Sequence, residues 1–194
     1  MFHGFVIFFA PLPLVGIVFP SLLPYNIRST KIEAKSTTKT NAMRLLEEAK
    51  IPFTTDSYPV DEEDLSGVHA AELLGIADPG CMFKTLVTKG SRGGYFVFCI
   101  PVAEELDLKK CAAAAGEKSV EMIHVKDMLS VTGYIRGGCS PVGMKKKYPT
   151  FLDETSILYD KIYVSGGQRG LQLCLSPEDL TAFVGATVAD LIRG

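Results

Sequence analysis

The chain has 194 residues, 47% of them hydrophobic, with a mean hydropathy of +0.21, enough for one well-buried core. Its net charge is −2, and three of the 20 basic but only one of the 22 acidic residues precede Thr38, so the remainder carries −4 and binds nucleic acid only through a local basic patch. Five widely spaced cysteines with no C-x-x-C pair exclude a disulfide framework and a zinc ribbon, and fit a reducing cytoplasm.

The first 26 residues contain no Lys, Arg, Asp or Glu, and Arg28, Lys31, Lys35 and Lys39 follow. Three readings stand side by side. One is a membrane anchor with a basic cytoplasmic flank, one an upstream start that lengthens a shorter natural product, and one a disordered tail. Pro11, Pro13 and Pro20 interrupt the run and no basic n-region precedes it, which argues against a signal peptide. Residues 32–41, "IEAKSTTKTN", read as a polar linker. The expected organisation is therefore an extension over 1–38 and one domain over 39–194.

Thr40 or Asn41 caps an expected helix through Lys50, stopped by Pro52, and "FTTDSYPV" reads as a short strand. A helix around 68–74 follows, capped by Ser66 and closed by Gly75. Strands over 82–89 and 95–102 form a hairpin through "GSRGG". "LDLKKCAAAAG" is a helix, "SVEMIH" a strand and "VKDMLSVTG" a short helix. "GYIRGGCSPVGMKKKYPT" holds too many Gly and Pro residues for regular structure, and long irregular stretches inside a domain are usually functional. "FLDETSILYDKIYVSGGQRGLQLCL" gives three short strands, and a helix starts at Ser176–Pro177. Helices and strands do not alternate strictly, so the expected class is mixed α/β, with a curled, largely antiparallel sheet packed by helices.

Lys84 interrupts an apolar strand, sharing one face with Met82 and Leu86. On an internal strand its ammonium is partly desolvated and becomes a strong donor to an anion or carbonyl. On an edge strand it snorkels to water. Gly137, Gly138, Cys139, Ser140 and Pro141 form a loop whose small residues expose backbone N–H groups suited to a carbonyl or phosphate oxygen. Lys145, Lys146 and Lys147 follow as clustered positive charge suited to a phosphodiester ligand, unless they are a solvated basic turn. "SGGQRG" adds Arg169 on a second polar loop. Nothing pairs Cys139 with His124 as a protease dyad, and neither a metal motif nor G-x-G-x-x-G is present, so no metal or other cofactor is expected.

In their order, "KTNAMRLLEEAKIPF", "FKTLV", "PVAEELDLKK", "TGYIRGGCSPVG", "KKKYPTFLDE" and "IYVSGGQRGLQL" resemble the YbaK/EbsC-type aminoacyl-tRNA deacylases, which are similar to the editing domain inserted in bacterial prolyl-tRNA synthetases. The resemblance runs from about Lys39 to the C-terminus and leaves residues 1–38 uncovered. It implies a mixed sheet wrapped into a partly open barrel with peripheral helices. The implied activity is removal of cysteine from Cys-tRNA(Pro), with Cys-tRNA(Cys) as a further substrate and prolyl-tRNA synthetase as a partner. It places the family's essential lysine on Lys84, its pocket tyrosine on Tyr58 and its substrate loop on residues 137–141. Lys145, Lys146, Lys147 and Arg169 are then expected along the tRNA backbone. A family aspartate is Gln172 here, which can hydrogen-bond but cannot serve as a counter-ion. The implied nucleophile is the thiol of the bound cysteinyl group, which leaves as a thiolactone. Two other readings stay open: an Ala-tRNA(Pro) deacylase that uses water, and a non-catalytic tRNA- or synthetase-binding module.

Overall fold

A computed structural model describes residues 39–194, and the apolar N-terminal segment, with its three readings, lies outside the described residues. Among the described residues no helix is long and apolar enough to cross a membrane.

Helix α1 (Asn41–Glu48) starts where the Thr40 hydroxyl accepts the Met43 N–H, and it buries Ala42, Met43 and Leu46. It stops short of the expected Lys50, which turns the chain with a positive φ of 58° ahead of Pro52. Strand β1 (Phe53–Ser57) pairs antiparallel with β7 (Leu171–Leu175), which pairs antiparallel with β6 (Ile162–Ser165). Side chains alternate across this three-stranded sheet. Leu171, Leu173, Leu175, Ile162 and Val164 enter the main core, which leaves Gln172, Cys174, Ser165 and Tyr163 on the opposite face.

The second sheet runs β4-β2-β3-β5-β8, with β2 at Phe83–Gly90, β3 at Tyr95–Pro101, β4 at Val120–Met122, β5 at Thr150–Asp153 and β8 at Thr187–Ala189. Strand β3 is buried on both faces. Val97 and Cys99 join the main core, while Phe96, Phe98 and Ile100 pack with Phe151, Leu106 and Cys111 in a second cluster. That double burial explains its unbroken apolar run.

Helix α3 (Leu108–Ala114), capped by the Asp107 carboxylate, covers this second cluster. Helices α2 (Gly67–Leu73), α4 (Val125–Thr132) and α5 (Pro177–Val184) complete the described helices, with short 3₁₀ turns at Pro79–Cys81 and Glu154–Leu158.

Four ladders are antiparallel and two, β3–β5 and β5–β8, are parallel, so the mixed α/β, largely antiparallel class holds. The ladders form two open sheets that meet at a bridge between Met82 and Tyr163. Strand β8 is too short to show a sequence period, and a tertiary contact holds the segment after it. The fully buried Asp153 carboxylate accepts the Leu191 N–H at 3.0 Å and the Thr155 N–H and hydroxyl at 3.1 and 2.7 Å.

Asp153→Ala leaves those donors unpaired and should cost about 3 kcal/mol, read from the urea midpoint at an unchanged m-value. A loss below about 1 kcal/mol would show that the C-terminal segment docks without it.

Candidate active site

Lys84 lies on β2 opposite Ile100 of β3. Strand β4 covers only Thr88–Gly90, so β2 is internal to its sheet, yet beside Lys84 it is laddered on one side alone. The residue therefore falls between the buried and edge geometries open in the sequence. Its side chain is half-buried, and Nζ donates to the Val102 carbonyl at 2.9 Å. Burial lowers its pKa from the usual lysine value, and the Glu105 and Glu104 carboxylates push back.

Gly67 at the start of α2 sets the close approach behind this contact. A Cβ there would lie 2.2 Å from Val102 Cγ1, so only glycine lets the helix seat against the residue that holds Lys84.

Lys84 opens into a cavity of about 290 Å³ whose lining includes Tyr58, Met82, Met128, Arg136, Gly137, Cys139, Ser165 and Gln172. The glycine loop is held in place by the "SGGQRG" turn. Arg169 Nε donates to the Arg136 carbonyl at 2.9 Å, and its guanidinium pairs with Glu62. Gly138 packs so closely on the backbone of Gln168 and Arg169 that a Cβ would meet it at 3.1 Å, while Gly137 takes a positive φ of 82°. The Gly138 N–H is spent on the Ile135 carbonyl. The N–H groups of Gly137 and Cys139, two residues that line the cavity, have no partner among the described residues.

Tyr58, just past β1, donates its N–H to Gly170, and its hydroxyl accepts Gln172 Nε2 at 3.4 Å. Burial pushes the Cys139 thiol up to about 12, against a Thr132 hydrogen bond that lowers it. The thiol is therefore protonated at neutral pH and a poor nucleophile.

Lys84, Tyr58, Gly137, Cys139 and Gln172 thus converge on one cavity. Ser140 is fully buried behind the loop, where its hydroxyl accepts the Val142 N–H. Pro141, Lys146 and Lys147 line a separate cavity of about 270 Å³ with Leu45, Tyr148 and Phe183. Lys145 anchors itself across the end of α4 through the Leu129 carbonyl at 2.9 Å, and Arg169 is engaged in holding the loop. Arg136 and Ser165 lie in the two loops that the sequence singled out, though neither residue was itself named as a site candidate. Arg136 is exposed, its guanidinium has no partner among the described residues, and its only signal is a cation placed directly before the glycine loop. Among the described residues no group of three or more His, Cys, Asp or Glu side chains is arranged to hold a metal.

The sequence profile of the aminoacyl-tRNA editing domain matches residues 63–183. The chain belongs to the aminoacyl-tRNA editing domain family. This editing domain is 48% identical over 157 residues to EbsC of Enterococcus faecalis, provisionally named a Cys-tRNA(Pro)/Cys-tRNA(Cys) deacylase; the match spans 81% of this chain and 95% of that protein. It is 28% identical over 131 residues to the proline–tRNA ligase of Thermosipho melanesiensis, which covers 62% of this chain and 22% of the ligase. A crystal structure provisionally described as a trans-editing enzyme for prolyl-tRNA synthetase superposes with a TM-score of 0.68 at 27% identity, over 81% of this chain and 100% of the other.

The lowered pKa of Lys84 fixes a sign for stability. The folded state releases the Lys84 proton at lower pH than the unfolded state, whose value is 10.5, so ionised Lys84 opposes folding below its folded pKa and that penalty fades as pH rises toward 10.5. The stability of the natural chain relative to Lys84→Met should therefore increase with pH across the alkaline window that ends there. Urea unfolding of both proteins from neutral to alkaline pH checks this, and a flat or falling difference would contradict it.

Proposed function

We propose that residues 39–194 form an aminoacyl-tRNA deacylase that clears cysteine from tRNA(Pro), with Cys-tRNA(Cys) as a further substrate. The observation that carries this reading is the Lys84 ammonium, drawn into a cavity beside two unpartnered backbone donors in a chain 48% identical to EbsC. Cleaving an aminoacyl ester needs a nucleophile, a polarised carbonyl and a stabilised leaving hydroxyl. The cavity provides the last two. Lys84 and Arg136 are its cations, suited to the terminal adenosine phosphate and to negative charge developing on the ester. The Gly137 and Cys139 N–H groups are suited to the carbonyl oxygen, and Tyr58 walls the aminoacyl group.

The nucleophile is the thiol of the cysteinyl group itself. Its sulfur bonds to its own carbonyl carbon, the carbonyl–ribose oxygen bond breaks, and the thiol proton ends on the departing 2′- or 3′-hydroxyl, releasing a thiolactone. The protonated state of Cys139 supports this over a nucleophile from the protein. The need for a substrate thiol rejects alanine and serine by chemistry, where a cavity alone would discriminate weakly.

Lys146 and Lys147 have no partner among the described residues, and with Lys145 we assign them to the acceptor-stem backbone. Docking on prolyl-tRNA synthetase in the cytoplasm follows from the same reading, as does a partly open barrel in which the two sheets wrap the cavity.

The test is deacylation of Cys-tRNA(Pro), Ala-tRNA(Pro) and Cys-tRNA(Cys) by the purified chain and two variants. Cys-tRNA(Pro) should be cleaved and Ala-tRNA(Pro) spared. Lys84→Ala should lose at least about 100-fold in rate with the fold intact by circular dichroism, and Cys139→Ser should retain activity. Cleavage of Ala-tRNA(Pro) would replace the thiol mechanism with water, and full activity of Lys84→Ala would remove the assignment.

A further inference from the structure

Gln172 is only 7% exposed and lines the cavity, yet its Oε1 has no hydrogen-bond partner among the described residues, while Nε2 is turned toward the Tyr58 hydroxyl. An unpaired buried amide oxygen is costly, because it has given up water and received nothing in return. A ligand that brings a donor into the cavity recovers that cost.

The surroundings identify the donor. In the three-stranded sheet Gln172 stands directly opposite Asp56 of β1 on one side and Ser165 of β6 on the other. Residues opposite one another in an antiparallel ladder put their side chains on the same face about 5 Å apart. Asp56 is half-buried, is not itself a lining residue of the cavity but stands one strand from Gln172, which is, and has no hydrogen-bond or ion-pair partner among the described residues. A free carboxylate beside an unpaired carbonyl oxygen makes the Gln172 end attractive to a cation.

We infer that Gln172 and Asp56 form the receptor for the substrate's α-ammonium group, Gln172 accepting its N–H and Asp56 supplying the opposite charge one strand away. This rests on the deacylase reading of the same cavity and makes the pair its selector for a free amino terminus. An N-blocked aminoacyl ester, such as the start of a nascent peptide, presents neither the charge nor the full set of donors and is excluded.

The test compares Cys-tRNA(Pro) with N-acetyl-Cys-tRNA(Pro), in single-turnover cleavage and in binding of the matching non-cleavable 3′-amide adenosine analogues. The natural chain should prefer the free amine by about tenfold or more, the range of one charge-assisted hydrogen bond. Asp56→Asn should erase most of that preference through KM. Gln172→Glu, which keeps the acceptor and adds charge, should sharpen it. An unchanged preference in Asp56→Asn, or a preference reversed by Gln172→Glu, overturns the inference. A chain that cleaves neither tRNA overturns the deacylase reading, and binding of the analogue pair still decides the inference.

Discussion

The hydrogen bond from the Lys84 ammonium to the Val102 carbonyl is the contact on which the cavity depends. It ties one end of the β2–β3 hairpin to itself. Val102 donates its own N–H to Met82 across the same strand pair, and Met82 in turn bridges to Tyr163 of the other sheet. The lysine is therefore anchored where the two sheets meet. Its partial burial makes the ammonium a stronger donor than one in water, and a carbonyl partner, unlike a carboxylate, does not neutralise it.

The rest of the site is brought to that junction by packing that has little chemistry of its own. Gly67 lets α2 rest on Val102, and Arg169 binds Glu62 and the Arg136 carbonyl so that the glycine loop keeps its place. Arg169 is thus a positioning residue for the loop in this fold. The three-stranded sheet turns its leucines into the core and its polar residues toward the cavity. One alternation supplies both the packing that stabilises the sheet and the acceptors that line the cavity.

Much of this was legible in the chain. Capping residues and glycine stops marked the helices, and the apolar runs of β2 and β3 marked the hairpin. Lys84 and the glycine loop stood out by their residues and Tyr58 through the family resemblance, and the fold brings Lys84, Tyr58, Gly137 and Cys139 to one cavity. What stayed hidden depends on contacts distant in sequence. Strand β8 has three residues and no period, and the segment after it is held by Asp153. The pairing of Asp56 with Gln172 requires knowing which strands are neighbours and in which register. The division of the 137–147 stretch is equally invisible to composition: Gly137 and Cys139 line one cavity, Ser140 is buried, and Pro141, Lys146 and Lys147 line another. Arg136 is exposed and non-periodic, so only the folded loop shows that it borders the cavity.

The chemistry that emerges asks little of the protein beyond placement of charge. The cavity's thiol is protonated at neutral pH, and Lys84 and Arg136 line the cavity as its cations. Titration of the lysine Nζ resonances by NMR, with and without the 3′-amide analogue of cysteinyl adenosine, tests this most directly. The account predicts that Lys84 titrates below the exposed lysines and that its resonance moves when the analogue binds. A Lys84 that titrates with the bulk lysines and does not respond to the analogue would contradict it.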